Sequence, residues 1–144
     1  MIGDYLYQLT RKDHHTQPVI QRLSTRITAA AAAATVQAVG PVIPPEKVGI
    51  LTWLNVQATG GGAQTVSGLS AFIRVDGVTI SQVLLNYVPP TAVVQNGWQE
   101  TGHQLLFPGE QLIASVNYSA AVAVNTTDLS FHILLLPKGN LQLR

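Results

Sequence analysis

Asp76-Gly77 is the pair that most limits how this chain can fold. Before it, Leu69, Ala71, Ile73 and Val75 alternate with Ser70, Phe72 and Arg74; after it, Val78-Thr79-Ile80 opens a second stretch of strand formers. Alternation at period two places one set of side chains on each face of a strand. Asp-Gly tolerates the two positive φ angles of a type I′ turn, the turn whose twist matches that of paired strands. Together these features predict an antiparallel hairpin.

The same pattern recurs along the chain. Residues 48–59 predict a strand with Ile50, Leu54, Val56 and Ala58 on one face and Trp53, Asn55 and Gln57 on the other. Gly60-Gly61-Gly62 predicts a loop, Pro89-Pro90 a break, and Asn96-Gly97 a second two-residue turn. A strand over 98–107 closes in a type II turn at Pro108-Gly109. Leu112, Ala114, Val116 and Tyr118 alternate with Ile113, Ser115 and Asn117, and Leu129, Phe131, Ile133 and Leu135 mark the core face of a last strand. The alanine run at 29–34 has high helix propensity. Its flanks, Ile27, Thr28, Thr35, Val36 and Val39, are β-formers, and Gly40-Pro41 ends it without a helical last turn, so the run is read as strand. About eight short strands at regular spacing predict an all-β, jelly-roll-like β-sandwich. The domain occupies 27–144 and follows an extended N-terminal arm at 1–26.

Charge sets the next constraint. Only 10% of the 144 residues are charged, against about 25% in ordinary soluble domains. The surface must therefore be built from Ser, Thr, Gln, Asn, Gly and aliphatic groups, which can be buried against a partner with little desolvation of charge. Half of the eight basic residues fall in the first 26 positions, among them Arg11, Lys12 and Arg22, in a segment without helical or strand period. That segment reads as a docking arm. A formal net charge of +1 argues against direct nucleic-acid binding, which rests on many phosphate contacts. No membrane span is expected, because the longest uncharged apolar run, 27–43, is mostly alanine and is interrupted by Gln37, Gly40 and Pro41. Residues 1–15 carry charge where a signal peptide needs its apolar stretch.

No pattern for chemistry is found. There is no cysteine, which removes thiolate nucleophiles, disulfides and thiolate metal sites. Adjacent His14 and His15 would point to opposite faces of a strand, and His103 is followed two positions on by Leu105 rather than the second histidine of a cupin-type metal site. Gly68-Leu69-Ser70-Ala71-Phe72 lacks the last glycine of a nucleophile elbow. A carboxylate pair from Glu100 and Glu110 would need a fold that joins them; solvated carboxylates, most of them at turns, are the simpler reading of the seven acidic residues. No enzyme, metal or cofactor is expected. Two features favour contact instead. The outer side of the last strand begins with Ser130 and His132 but continues with Leu134 and Leu136, and Trp53 stands among Asn55 and Gln57.

A basic extended arm, a low-charge body rich in Thr, Ala and Val, Gly and Pro turns, and the lack of cysteine together resemble the jelly-roll cement (decoration) proteins of tailed bacteriophages. The resemblance spans the full length in architecture and carries no diagnostic motif. It implies a virion structural protein at the capsid surface, made in the host cytoplasm, whose partners are the major capsid protein or other virion subunits and further copies of itself as a dimer or trimer. Arg11, Lys12, Arg22, Trp53, His132, Leu134 and Leu136 are the expected interface residues. A small tail or head-fibre-base protein is similar in style. The competing reading is a carbohydrate-binding, lectin-like module that stacks sugars on Trp53, Tyr87 or Trp98.

Overall fold

The chain forms eight strands in the computed structural model, which describes residues 21–138. They are β1 (Gln21–Ala31), β2 (Thr35–Val42), β3 (Lys47–Thr59), β4 (Val66–Val75), β5 (Thr79–Tyr87), β6 (Gln95–Leu106), β7 (Glu110–Tyr118) and β8 (Asn125–Pro137). They form two antiparallel four-stranded sheets, ordered β1-β8-β3-β6 and β2-β7-β4-β5. Every connection except the β4–β5 hairpin crosses from one sheet to the other. That wrapping is the jelly-roll order of a two-sheet sandwich.

The core lies between the sheets. Leu129, Phe131, Ile133 and Leu135 of β8 face it beside Leu51, Leu54, Val56 and Ala58 of β3. Across from them stand Leu69, Ala71 and Ile73 of β4 and Leu112, Ala114 and Val116 of β7. Phe131, Leu129, Val56 and Val116 have no exposed surface at all. The hairpin at 76–77 forms as the sequence requires, with Asp76 at φ 55° and Gly77 at φ 73°. Gly109 at φ 84° takes the position that a type II turn demands. The Glu110 carboxylate fixes that turn, since one oxygen accepts from the Phe107 N–H at 2.8 Å and the other from the Ser81 hydroxyl at 3.0 Å.

The structure departs from the sequence reading at four places. The alanine run is not one strand: β1 ends at Ala31, 32–34 bend, and β2 starts at Thr35 in the other sheet. Asn96-Gly97 is no turn, because both residues lie inside β6, opposite Ala58 and Gln57. The amide end of the Gln57 side chain lies over Gly97 and would have to swing aside for a larger residue there. Ile50 does not share a face with Leu54. β3 has an extra residue, Thr52, between the pairs Leu51–Ile133 and Trp53–His132, and a bulge of one residue reverses the alternation. Ile50 therefore faces outward with Leu134 and Leu51 faces the core. The arm boundary expected at Arg26 falls within β1, which pairs with β8 from Gln21 onward. The remainder of the arm, with Arg11 and Lys12, lies outside the described residues.

The edge strand β1 is tied to β8 by one ion pair. Arg26 Nη2 donates to Asp128 Oδ2 at 2.8 Å, and the Thr28 hydroxyl donates to Asp128 Oδ1. Burial alone would raise the Asp128 carboxyl, but the Arg26 and Thr28 hydrogen bonds and the Arg26 charge hold it below the ordinary carboxylate range. A lowered folded-state value contributes stability above the unfolded pKa of about 4, and that stability is lost as pH falls through the lowered value. Urea unfolding should therefore show an acid-side loss of stability that shrinks in Asp128→Asn, a variant weaker than the native chain at pH 7. Gly77→Val forces a β-branched residue into positive φ and should cost about 1–3 kcal/mol by the same assay.

Candidate interaction surfaces

The first sheet carries Arg22, Trp53, His132, Leu134 and Leu136 of the expected contact residues. Side chains that alternate away from the core on β1, β8, β3 and β6 form rows across its outer face: Arg22, Leu134, Ile50 and Leu105 in one, Ser24, His132, Trp53 and Thr101 in the next. Trp53 and His132 stack with ring centroids 4.7 Å apart at 41°. Arg22 and His132 are exposed, and Trp53 and Leu134 are half-buried. Leu136, by contrast, is only 1% exposed and closes a small second cluster with Ile50, Leu105 and Leu134. It lies on the same side of β8 as Leu134 but is covered. Arg22, Trp53, His132 and Leu134 remain accessible as one patch, which joins a guanidinium, two aromatic rings and an aliphatic group.

Beside this patch the first sheet opens. Opposite the Thr52 bulge, β6 passes from Thr101 to Gln104 through Gly102 and His103, so the β3–β6 ladder is interrupted. The gap is a cleft of about 210 Å³ lined by Leu51, Trp53, Leu84, Glu100, His103 and Gln104. Two of its polar groups are engaged: Glu100 Oε1 accepts from Trp98 Nε1 at 2.7 Å, and Gln104 exchanges two amide hydrogen bonds with Gln82 of β5 at 2.9 and 3.0 Å. Tyr87 and Trp98 stack on each other, centroids 4.7 Å apart. Glu100 and Glu110 are held by different partners. Among the described residues, no three His, Cys, Asp or Glu side chains gather where they could hold a metal ion. No described helix is long and apolar enough to cross a membrane.

The sequence pass missed a second surface because it exists only once the chain is folded. Strand directions gather the connections at 32–34, 60–65, 88–94 and 119–124 at one end of the sandwich. None of these loops contains a charged or an aromatic residue. Charge collects at the other end, with Glu46, Lys47, Arg74, Asp76, Glu110 and Lys138. The uncharged tip is apolar and open: Val122 is 91% exposed, Val88 69% and Val124 56%, with Ala32, Ala34, Ala92 and Ala121 around them.

The tip is nonetheless rigidly held. Asn125, with no exposed surface, uses both ends of its amide. Its Oδ1 accepts from the Gly61 N–H at 2.9 Å and from Gln64 Nε2 at 2.6 Å, while its Nδ2 donates to the carbonyls of Ala33 at 2.8 Å and Ala120 at 3.0 Å. Gln64 Oε1 accepts from the N–H groups of Val122 and Ala123 at 2.8 and 3.0 Å. The close approach demands glycine, because a Cβ on Gly61 would stand 2.2 Å from the Val124 carbonyl oxygen. Gly60 N–H and Val66 N–H reach the Val94 and Val93 carbonyls at 2.8 Å, which adds the fourth loop.

No family model matches the chain, and no curated protein matches it. Among solved structures, the infectious bursal disease virus VP2 subviral particle aligns over 91% of this chain and 38% of that one, at 8% identity and a TM-score of 0.42. A Bacillus endospore appendage pilus aligns over 88% of this chain and 96% of that one, at 11% identity and 0.41. The enzymatically active domain of tailspike protein 4 from bacteriophage CBA120 aligns over 83% and 19%, at 11% identity and 0.37. The chain thus spans little more than a third of the viral VP2 chain. Similarity this low assigns the chain to none of them.

Removing the Asn125 amide would leave buried donors and acceptors in three loops without partners. Each such group costs about 1–3 kcal/mol. Asn125→Ala should therefore lower unfolding stability by about 3 kcal/mol or more, and hydrogen exchange at Gly61, Val122 and Ala123 should speed up beyond that at Val56.

Proposed function

We propose that this chain is a non-enzymatic virion structural protein of the cement or decoration kind, which binds a lattice of major capsid subunits from outside and reinforces it. The observation that carries this reading is the patch on the first sheet. Arginine and tryptophan are the residue types that most often anchor protein contacts, and here Arg22 and Trp53 share a face with His132 and Leu134. The scarcity of charge elsewhere lowers the desolvation that contact requires. In sequence, Arg11 and Lys12 precede Arg22 within a segment read as a docking arm, which would extend the same basic contact along the lattice. Each ring that a carbohydrate-binding reading would use already has an aromatic neighbour, Trp53 on His132 and Tyr87 on Trp98, which favours protein contact over sugar stacking.

The test is co-sedimentation with shells assembled from the major capsid protein of the same virus. The native chain should saturate the shells. Arg22→Glu with Trp53→Ala should weaken attachment at least about tenfold, with added salt weakening the native chain too. Circular dichroism melting would show that the double variant is still folded. Attachment of the folded double variant at native strength would refute this assignment of the contact face, and a native chain that never sediments with shells would refute the function.

A further inference from the structure

Register breaks in three strands converge on the cleft at the open side of the sandwich. Thr52 interrupts β3, Gly102 and His103 interrupt β6, and Leu84 is the extra residue of β5 between the pairs Ala71–Leu85 and Phe72–Val83. Bulges often re-aim side chains beside a functional site. Here they leave a cleft of about 210 Å³ whose lining combines three leucines, Leu51, Leu54 and Leu84, with a single carboxylate, that of Glu100. Glu100 is the cross-strand partner of Leu54, and such partners share a face, so the carboxylate lies half-buried on the inner side of its strand. Its Oε1 is held by the Trp98 indole. Among the described residues, no donor reaches Oε2 and no cation pairs with the carboxylate.

We propose that this cleft receives one lysine or arginine side chain from a partner protein, an inference that takes the protein-contact reading above as its setting. The lining selects that occupant. A long basic side chain lays its aliphatic stem on apolar surface and carries its charge at the tip; the leucines suit the stem, and Glu100 suits the charge. A charge-assisted hydrogen bond to Oε2 then completes the carboxylate. An anion would be repelled by Glu100, and an uncharged aliphatic group would leave the half-buried carboxylate without a cation. The volume falls below the roughly 300–1,000 Å³ of small-molecule sites, which suits a single side chain better than a free ligand. Trp53 lines the cleft and also belongs to the outer patch, so a partner seated on that patch is within reach. An inward-facing charge on an edge strand also deters strand pairing, but that role requires neither the cleft nor its leucines.

The two tryptophans of the chain report on the site, Trp53 from its lining and Trp98 through its bond to Glu100. Proton–nitrogen correlation spectra of the isotope-labelled full chain would follow both indole N–H signals as a probe is added: Nα-acetyl-lysine methylamide, Nα-acetyl-arginine methylamide, or the uncharged Nα-acetyl-norleucine methylamide. At least one basic probe should shift both signals saturably, bind at least about tenfold more tightly than the norleucine probe, and weaken with added salt. That comparison uses the native chain and depends on no variant. Glu100→Gln keeps an oxygen to accept from Trp98, so its melting should be unchanged while its affinity for the basic probe falls about tenfold or more. The same variant should attach to shells more weakly than the native chain. The absence of any saturable shift, a norleucine probe that binds as well, or a Glu100→Gln variant that binds probe or shells at native strength would each overturn the proposal. Probes that shift the signals only in a variant carrying Arg11→Gln and Lys12→Gln would assign the cleft to the chain's own arm and also overturn it. Basic probes that bind through Glu100 in a chain that never sediments with shells would leave this inference standing and refute the cement reading.

Discussion

The Asn125 amide is the interaction on which the arrangement of the loops depends. In a jelly roll nearly every connection passes from one sheet to the other, so the two sheets are held in register partly by how their crossings pack at the ends. Here one buried side chain bonds three of those crossings, through the Ala33 and Ala120 carbonyls, the Gly61 N–H and Gln64. Gln64 in turn holds 122–123 by two backbone N–H groups. A buried amide is stabilising only when all its bonds are made, and here each end makes two. Gly60 and Gly61 follow from the same constraint, since the backbone must come within reach of the amide. The hydroxyl of Tyr118 extends the network inward to Thr126 and Thr127.

The strands were legible in the sequence because their cause is local. Asp76-Gly77 required a turn with two positive φ angles, and alternation in 69–75, 112–118 and 129–135 fixed which side chains face the core. What was illegible depended on distant partners. Thr52 is an ordinary threonine in the sequence, and only its neighbours on β6 and β8 make it a bulge that turns Ile50 outward. Asn96-Gly97 has the composition of a turn, but pairing with β3 and the overlying Gln57 keep it extended. The alanine run was read as β, yet the bend at 32–34 is set by where Ala33 must present its carbonyl to Asn125. Of the contact residues, Trp53, His132 and Leu134 share one face with Arg22, which the sequence placed in an arm without period, whereas Leu136 is buried beside Ile50. The uncharged tip was invisible because its loops lie far apart in sequence and meet only through topology.

Open sheet edges invite unwanted pairing with other chains, and a chain with so little charge has few ordinary means to prevent it. Each edge strand here has its own device. β1 carries Arg22 and Arg26, β2 contains Pro41 and an irregular register before Val42, and β5 and β6 are bulged against their partners. Bulges twist an edge away from flat pairing. Gln82 and Gln104 also join β5 to β6 across the open side of the sandwich. Association by strand addition is thus discouraged on all four edges, while the faces and ends are left to make contacts.

That division of surface explains how so neutral a chain can be specific. Nonspecific adhesion would follow if apolar groups were spread evenly, but here they are concentrated at one tip, and the guanidinium and aromatic groups on one flank. Among the described residues, most of the charges sit at the far end. The tip and the flank are geometrically independent surfaces, because one is made of loops and the other of the outer side of β1, β8 and β3.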